Sequence, residues 1–231
     1  MTKTDYLNSF FQEDGRTVIL PLDHGTAIPV PDMAPPGELI ESVRDWVDGF
    51  VVNLGLARHC REQLSGKGVC LRTDVYKPAL PGNPDPGPAR IFTAEDAASA
   101  GAQAVMNMFY LHHPEEAANA RECTALISEC EEFGLPVIIE SLPIGIGRPG
   151  DYTIENVAYA ARFAAELGAD VVKTVFPTGA TVDDFKKIVD ATMVPVVVLG
   201  GAAMGDDEAL LTMVKNAIDG GASGIAVGRN V

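Results

Sequence analysis

Lys173 stands in the middle of an apolar segment, residues 171–176, which reads VVKTVF. A cation in such a segment costs on the order of several kcal/mol unless it is paired or gives up its proton. The neutral amine is also the form that attacks carbonyl carbons, so Lys173 is a candidate Schiff-base nucleophile. The structural alternative is a lysine that closes a strand and extends its amine to solvent.

Polar side chains that could carry acid/base chemistry follow several other apolar segments. Asp23 and His24 come directly after residues 17–22, in the order Asp-His-Gly. Asp23 could hold the lysine amine during attack and exchange protons with the intermediates. As structural alternatives, Asp23 could cap the following loop and His24 could satisfy a hydrogen bond in the core. The further residues at such segment ends are Asp74, Tyr110 and Glu140.

Glycines follow the last two apolar segments, as Gly200-Gly201 and as Gly228-Arg229. Glycine lets backbone N–H groups approach an anion closely, and Arg229 can add charge-assisted hydrogen bonds. Barrel enzymes frequently bind phosphate at the loops after the seventh and eighth strands. The pattern therefore favours a phosphate site, and a tight turn is the structural alternative for a Gly-Gly pair.

The histidines and cysteines give little support for a metal centre. His112 and His113 are adjacent and therefore point in different directions, so His24 would be needed as a third ligand. The four cysteines form no Cys-x-x-Cys pair, which is typical of reduced thiols in the cytoplasm. We expect the reaction to use neither a metal nor another cofactor.

Alternating strand-like and helix-like segments must position these residues. The apolar segments predict strands at 17–22, 49–54, 68–72, 104–109, 136–141, 170–175, 195–199 and 224–227. Amphipathic segments predict helices near 36–47, 56–64, 94–100, 114–133, 153–167, 181–191 and 206–219. Continuous Val/Ile/Leu strands with helical crossovers indicate a parallel sheet of the α/β class. Eight strands in 231 residues favour a (β/α)8 TIM barrel over a doubly wound sheet.

A barrel brings the ends of its strands together, because the carboxyl ends of parallel barrel strands meet at one mouth. Asp23, Glu140 and Lys173 are therefore expected to lie near one another. The Pro/Gly-rich segment 76–90 would lie at that mouth, as a lid or as a plain surface loop. The sequence stops shortly after the eighth strand, so we expect the eighth helix to be absent from this chain, either cropped or disordered, or replaced by a neighbouring subunit.

Composition limits the class of protein. A hydrophobic content of 47% in 231 residues suffices for one large core, so residues 1–231 are expected to form a single domain. The apolar runs are far shorter than a membrane span, and the N-terminus has no signal-peptide core. The net charge of -15 opposes binding to nucleic acid and to anionic membranes. We expect a cytoplasmic protein that binds an anionic substrate at a locally positive or N–H-rich site.

Four short motifs occur in the order and spacing of a known family: Leu22-Asp23-His24-Gly25, Val172-Lys173-Thr174, Gly200-Gly201 and Gly228-Arg229-Asn230-Val231. From about residue 15 to its end, the chain resembles the archaeal-type class I fructose-bisphosphate aldolases. It equally resembles the aminodideoxyheptulosonate synthases of archaeal aromatic biosynthesis. A third relative is the aldolase-like thiolase that processes the phosphorylated autoinducer-2 product.

The resemblance implies a TIM-barrel lyase of carbohydrate metabolism that assembles as a homo-oligomer, a decamer or another ring. It implies that an iminium on Lys173 makes cleavage or formation of a carbon–carbon bond in a phosphorylated ketose feasible without a metal. The alternatives are a thiolase or transaldolase-type activity on a phosphorylated diketone, and a non-catalytic barrel that binds a phosphorylated ligand. Beside the lysine, the family positions fall on Asp23 and, for phosphate, on Gly200, Gly201, Gly228 and Arg229.

One position departs from the family pattern. The sugar aldolases carry a tyrosine after the fifth strand, in a Glu-x-Tyr-Pro-like context, as the acid/base for carbon–carbon cleavage. The segment here reads Glu140-Ser141-Leu142-Pro143, and leucine cannot move a proton. The thiolase-like relative also lacks a tyrosine there. Either the substrate differs from fructose bisphosphate, or another group supplies the proton; the candidates are Tyr110, Glu140, Asp74 and His24.

Overall fold

A computed structural model of the protein describes residues 2–27, 35–75, 88–143, 151–201 and 205–229. The strands are, in chain order, β1 (Thr17–Pro21), β2 (Gly49–Val52), β3 (Gly68–Arg72), β4 (Asp74–Val75), β5 (Ala89–Arg90), β6 (Ala104–Leu111), β7 (Val137–Pro143), β8 (Val171–Thr174), β9 (Val196–Leu199) and β10 (Gly224–Ala226). The α-helices are α1 (Lys3–Leu7), α2 (Pro36–Val43), α3 (Leu54–His59), α4 (Ala94–Ala100), α5 (Glu116–Phe133), α6 (Ile154–Glu166), α7 (Val182–Thr192) and α8 (Asp207–Asp219).

Eight parallel strands close into a barrel in the order β1-β10-β9-β8-β7-β6-β3-β2. The strands β4 and β5 form a separate antiparallel pair after β3. In the described part of the chain, an α-helix lies before β1, and one α-helix lies between each consecutive pair of barrel strands. The predicted TIM barrel is confirmed. Within the described ranges, no helix combines the length and apolarity needed to cross a lipid bilayer.

All eight predicted barrel strands are confirmed, with each end within two residues of its expected place. Two helices, α2 and α3, end four and five residues earlier than predicted. The helix α2 passes into a 3-10 turn at Arg44–Trp46, and α3 ends at His59, after which residues 60–66 continue as turns that still bury Leu64. The sequence analysis missed α1, β4 and β5, because segments of five or two residues show no measurable periodicity.

Most barrel strands bury both of their faces, which explains the continuous apolar runs in the sequence. Among the exceptions, Val18 of β1 is exposed and Ile225 of β10 is partly buried. On β7, Ile138 packs inside the barrel, whereas Ile139 packs against the surrounding helices. Val171 of β8 also faces the interior. Because side chains alternate along a strand, Glu140 and Lys173 point the same way as Ile138 and Val171.

The side chain of Phe10 fills the barrel interior at the amino ends of β2 and β3. It is 1% exposed and packs among apolar residues that include Ile19 and Val51. A Cβ on Gly49 or on Gly68 would lie 2.6 Å from Cδ1 of the phenyl ring. These two strands therefore begin with glycine because the ring occupies the space that a side chain would need.

Replacing Phe10 with alanine should lower the free energy of unfolding by about 3–5 kcal/mol, because it leaves a cavity in a packed interior. Gly68→Ala should cost about 1–3 kcal/mol, because its methyl group overlaps the ring. Urea unfolding followed by circular dichroism measures both losses.

The two substitutions together provide the control. In the Phe10→Ala background, Gly68→Ala should cost clearly less, since the obstructing ring is gone and the two sites are coupled. If Gly68→Ala lowers the free energy of unfolding equally in the two backgrounds, the Phe10 ring is not the reason for a glycine at this position.

Candidate active site

Lys173 lies near the carboxyl end of β8, with its amine enclosed by the barrel. The residue is 5% exposed, and its Nζ lies 3.9 Å from the Sδ of Met106 on β6. The side chain is therefore buried, whereas the structural alternative expected its amine to extend to solvent. A buried ammonium needs a compensating charge, and the neighbouring strand provides it.

Glu140 of β7 is in register with Lys173 and forms an ion pair with it, Oε1 to Nζ, at 2.9 Å. Its second oxygen, Oε2, accepts a hydrogen bond from Nη1 of Arg72 at 2.8 Å. Burial alone would raise the pKa of Glu140, but the charges and hydrogen bonds of Lys173 and Arg72 outweigh burial and lower it to about 2. Glu140 is therefore a carboxylate at neutral pH.

Arg72, at the end of β3, connects the acidic groups of the site. It is fully buried, and its Nε forms ion pairs with Asp74 Oδ1 at 3.1 Å and with Asp23 Oδ2 at 3.4 Å. With Glu140, it therefore faces three carboxylates. The sequence analysis did not single out Arg72. The available signal was its place at the carboxyl end of an apolar strand, the same signal that drew attention to Lys173.

Asp23 is buried directly after β1, as the barrel predicts, but its partner differs from the expected one. The carboxylate pairs with Arg72, and the ion pair of Lys173 is with Glu140 and not with Asp23. The reason is that Arg72 brings a guanidinium to the Asp23 carboxylate. Contact between Asp23 and Lys173 in this structure is thus indirect, through Arg72 and Glu140.

Asp74 links Arg72 to the backbone of β6. Its Oδ2 accepts a hydrogen bond from the Met108 N–H at 3.1 Å, and its Oδ1 faces Arg72. Burial raises the pKa of Asp74 to about 6, although the Arg72 charge and the Met108 N–H act in the opposite direction. Asp74 therefore serves to fix Arg72 and β6 rather than to meet a reacting group.

Tyr110 of β6 lies beside the position where the resemblance leads one to expect a tyrosine. It is in register with Leu142 of β7, and the two side chains share a small buried cluster with Met108. Its backbone N–H donates to Asn119 Oδ1 at 2.9 Å, which fixes this part of β6. The structure thus places a phenol next to Leu142, on the adjacent strand.

The predicted phosphate residues lie in the loops after β9 and β10. Gly201 has a φ of +70°, a backbone conformation that favours glycine. A Cβ on Gly228 would lie 2.6 Å from the Pro21 carbonyl oxygen and 2.9 Å from His24 Cε1. Gly228 therefore allows the loop after β10 to pack against the end of β1. The Gly200 N–H donates to Ala226 O at 3.3 Å, and Arg229 is exposed.

His24 is half-buried in a 3-10 turn at the end of β1. Burial is the largest cause that lowers its pKa, and the charges of Arg229 and Lys173 act in the same direction against those of Asp23 and Glu140. His24 is therefore a neutral imidazole at pH 7. These charges also show that the predicted catalytic and phosphate residues share one mouth of the barrel.

Some predicted features fall outside the described residues. The Pro/Gly-rich segment lies there between residues 76 and 87, as do Asn230 and Val231. Among the residues that are described, no group of three or more His, Cys, Asp or Glu side chains is arranged to hold a metal ion. The chemistry that the described site offers is a lysine amine next to a carboxylate, largely sealed from water, which is the arrangement that carbonyl capture requires.

Comparison with known proteins agrees with the resemblance. Residues 17–231 match the DeoC/LacD family aldolase model. The chain is 33% identical over 224 residues to 2-amino-3,7-dideoxy-D-threo-hept-6-ulosonate synthase 1 of Archaeoglobus fulgidus, a match that covers 96% of this chain and 82% of the relative.

Two solved structures superpose over the whole chain. A Schiff-base-forming fructose-1,6-bisphosphate aldolase is 32% identical with a TM-score of 0.87, covering 100% of this chain and 93% of that one. An archaeal fructose-1,6-bisphosphate aldolase, whose catalytic lysine is covalently bound to a carbinolamine intermediate, is 31% identical with a TM-score of 0.86, covering 100% and 92%. The chain belongs to the DeoC/LacD aldolase family and is a lyase of the class I aldolase type.

Proposed function

We propose that the enzyme cleaves or forms a carbon–carbon bond in a phosphorylated ketose, as a fructose-bisphosphate aldolase does, through an iminium on Lys173. The observation that carries this proposal is the buried contact between Lys173 Nζ and Glu140 Oε1, at 2.9 Å. A free ammonium in this position would be costly, and the paired carboxylate is also a group that can take its proton. The similarity to aldolases that form a Schiff base supports the same conclusion.

Iminium formation requires a proton acceptor beside the amine, and Glu140 has that place. Glu140 takes the proton of the Lys173 ammonium, and the neutral amine attacks the ketone carbon. The carbinolamine hydroxyl then leaves as water with the proton that Glu140 returns. The low pKa of Glu140 depends on the positive charge of Lys173. When the amine becomes neutral, that charge disappears and the carboxylate becomes a stronger base. Glu140 therefore gains basicity at the step that needs a base.

Cleavage requires a second acid/base, because Leu142 cannot supply the proton transfer expected of the family tyrosine. We assign this task to Tyr110, whose side chain packs beside Leu142. The iminium accepts the electrons of the breaking carbon–carbon bond, while Tyr110, acting as its phenolate, takes the proton of the hydroxyl group that becomes the aldehyde. Glu140 stays with the nitrogen, and Asp23 supports the site through Arg72.

The phosphate group would bind at the glycine loops after β9 and β10. Gly201 adopts a φ of +70°, Gly228 lets its loop pack closely against the end of β1, and Arg229 adds positive charge. A local cationic site is needed because the chain carries a net charge of -15. Binding energy from the remote phosphate fixes the ketone against Lys173.

We further propose that residues 1–231 act as one catalytic domain in a homo-oligomer. The family match extends over nearly all of these residues, 17–231. Large apolar side chains lie exposed on the outer surface, as interfaces between copies require. The most exposed are Trp46, Leu211, Met193 and Tyr159.

A transaldolase or thiolase-type reaction through the same lysine is the second candidate. Leu142 favours it, because the tyrosine typical of sugar cleavage is missing from its usual position. Product analysis distinguishes the candidates: triose phosphates arise from fructose bisphosphate cleavage, whereas a transfer reaction yields no product without its acceptor.

Borohydride should trap the enzyme with fructose 1,6-bisphosphate or dihydroxyacetone phosphate, and the reduced adduct should be found on Lys173 by peptide mass analysis. Lys173→Met should abolish trapping and lower cleavage by at least about 10³-fold, because no nucleophile remains. Lys187→Met is the matched control, since its side chain is 78% exposed on α7. It should behave as the wild type. An adduct on a different lysine would contradict the proposal.

Tyr110→Phe and Glu140→Gln should separate the two proton-transfer steps. Tyr110→Phe should form the borohydride adduct at nearly the wild-type rate but lose about 10²–10⁴-fold in triose phosphate production. Glu140→Gln should slow adduct formation itself by a similar factor. Quantitative trapping and a coupled triose phosphate assay measure the two steps. If Tyr110→Phe cleaves at the wild-type rate, the assignment of Tyr110 is wrong.

A further inference from the structure

We propose that Arg72 is a positioning residue, which holds the Glu140 carboxylate against the Lys173 amine and keeps it ionised until it accepts the proton of that amine. This inference rests on the proposed function, because Arg72 has this task only if Lys173 and Glu140 carry the chemistry. Arg72 itself does not react. It acts on the substrate only through Glu140.

The geometry divides the two oxygens of Glu140 between two cations. Oε2 accepts from Arg72 Nη1 at 2.8 Å, and Oε1 faces Lys173 Nζ at 2.9 Å. The guanidinium comes from β3, which is separated from β7 by β6 in the barrel. With one oxygen held across the barrel, the other oxygen cannot rotate away from the amine.

Arg72 is itself fixed by the acidic groups on its other side. Its Nε faces Asp74 and Asp23, and Asp74 is held by the Met108 N–H of β6. A guanidinium presents donors in a rigid planar fork, so one side chain can serve Asp74 and Glu140 together. A lysine at this position would offer a single point charge and could not span both.

The charge of Arg72 also determines when Glu140 binds a proton. Among the described residues, the charged or titratable groups around Glu140 include Lys173, Arg72, Asp74 and His24, and Asp23 pairs with Arg72. Lys173 loses its charge when its amine becomes neutral, so Arg72 is then the cation that directly contacts the carboxylate. Without Arg72, burial would move the pKa of Glu140 upward, and the carboxylate would take up a proton at mildly acidic pH.

The test compares trapping rates at pH 7 and pH 5, with a double variant that removes one cation and one carboxylate and so leaves the net charge of the site unchanged. Removing Arg72 alone would leave three buried carboxylates, so Arg72→Met is combined with Asp74→Asn. The reference is Asp74→Asn alone, because the Asp74 pKa of about 6 lies within the pH range used. Borohydride trapping of dihydroxyacetone phosphate on Lys173 gives the rate, and circular dichroism confirms folding.

At pH 7 the double variant should trap about 10–100-fold more slowly than Asp74→Asn, because Glu140 is no longer held in place. At pH 5 the trapping rate of the double variant, divided by that of Asp74→Asn, should be several-fold lower than at pH 7, since Glu140 is then partly protonated. A ratio that does not change with pH would show a purely structural role and overturn the proposal. Arg162→Met, a surface arginine on α6, should trap as the wild type does at both pH values.

Arg72→Lys keeps a cation at this position. It is a second test, which remains informative even if the double variant does not fold. It should trap more slowly than the wild type at pH 7, with a smaller further loss at pH 5 than the double variant shows. Wild-type rates for Arg72→Lys at both pH values would overturn the proposal. If the wild type itself gives no Lys173 adduct, the proposed function fails first, so the two failures are distinguishable.

Discussion

The ion pair between Lys173 and Glu140, enclosed by the barrel, is the interaction on which the site depends. A single charge in this interior would be costly, and breaking a buried pair by removing one partner typically costs about 3–5 kcal/mol. Arg72, Asp23 and Asp74 extend the pair into one network of alternating charge. No member can be changed alone without leaving another charge uncompensated. The chemistry of the lysine and the stability of the barrel are therefore tied to the same contacts.

The barrel separates this network from the parts that stabilise the fold. Side-chain alternation directs one face of each strand to the helices and the other to the interior. In the interior, an apolar layer that includes Phe10, Ile138 and Val171 lies toward the amino ends. The charged side chains of Glu140 and Lys173 lie on the same interior face, two residues further along β7 and β8. The apolar layer keeps water from the lower side of the charges, so that they interact in a low-dielectric space.

The sequence contained enough information to predict the strands and the inward direction of Lys173, because both follow from periodicity and from the order of the elements. It did not contain the pairing of the charges. Which side chains meet across the barrel depends on the reach of Arg72 past β6, and no local pattern encodes that reach. For the same reason, Asp23 was expected at the amine but is found at Arg72. Strand position was predictable, whereas contact between distant strands was not.

The polar side chains behind β6 show how Tyr110 comes to lie beside Leu142. The strand β3 pairs with β6 only as far as Met106. Beyond that point, side chains take over the backbone groups of β6: Asp74 accepts the Met108 N–H and Asn119 accepts the Tyr110 N–H.

This support keeps β6 extended to Leu111, two residues beyond its expected end, and so in register with Leu142 of β7. A leucine at the family's tyrosine position is thus matched by a phenol on the next strand. The length of β6 thus keeps the Tyr110 phenol, the group that we propose for proton transfer, beside Leu142.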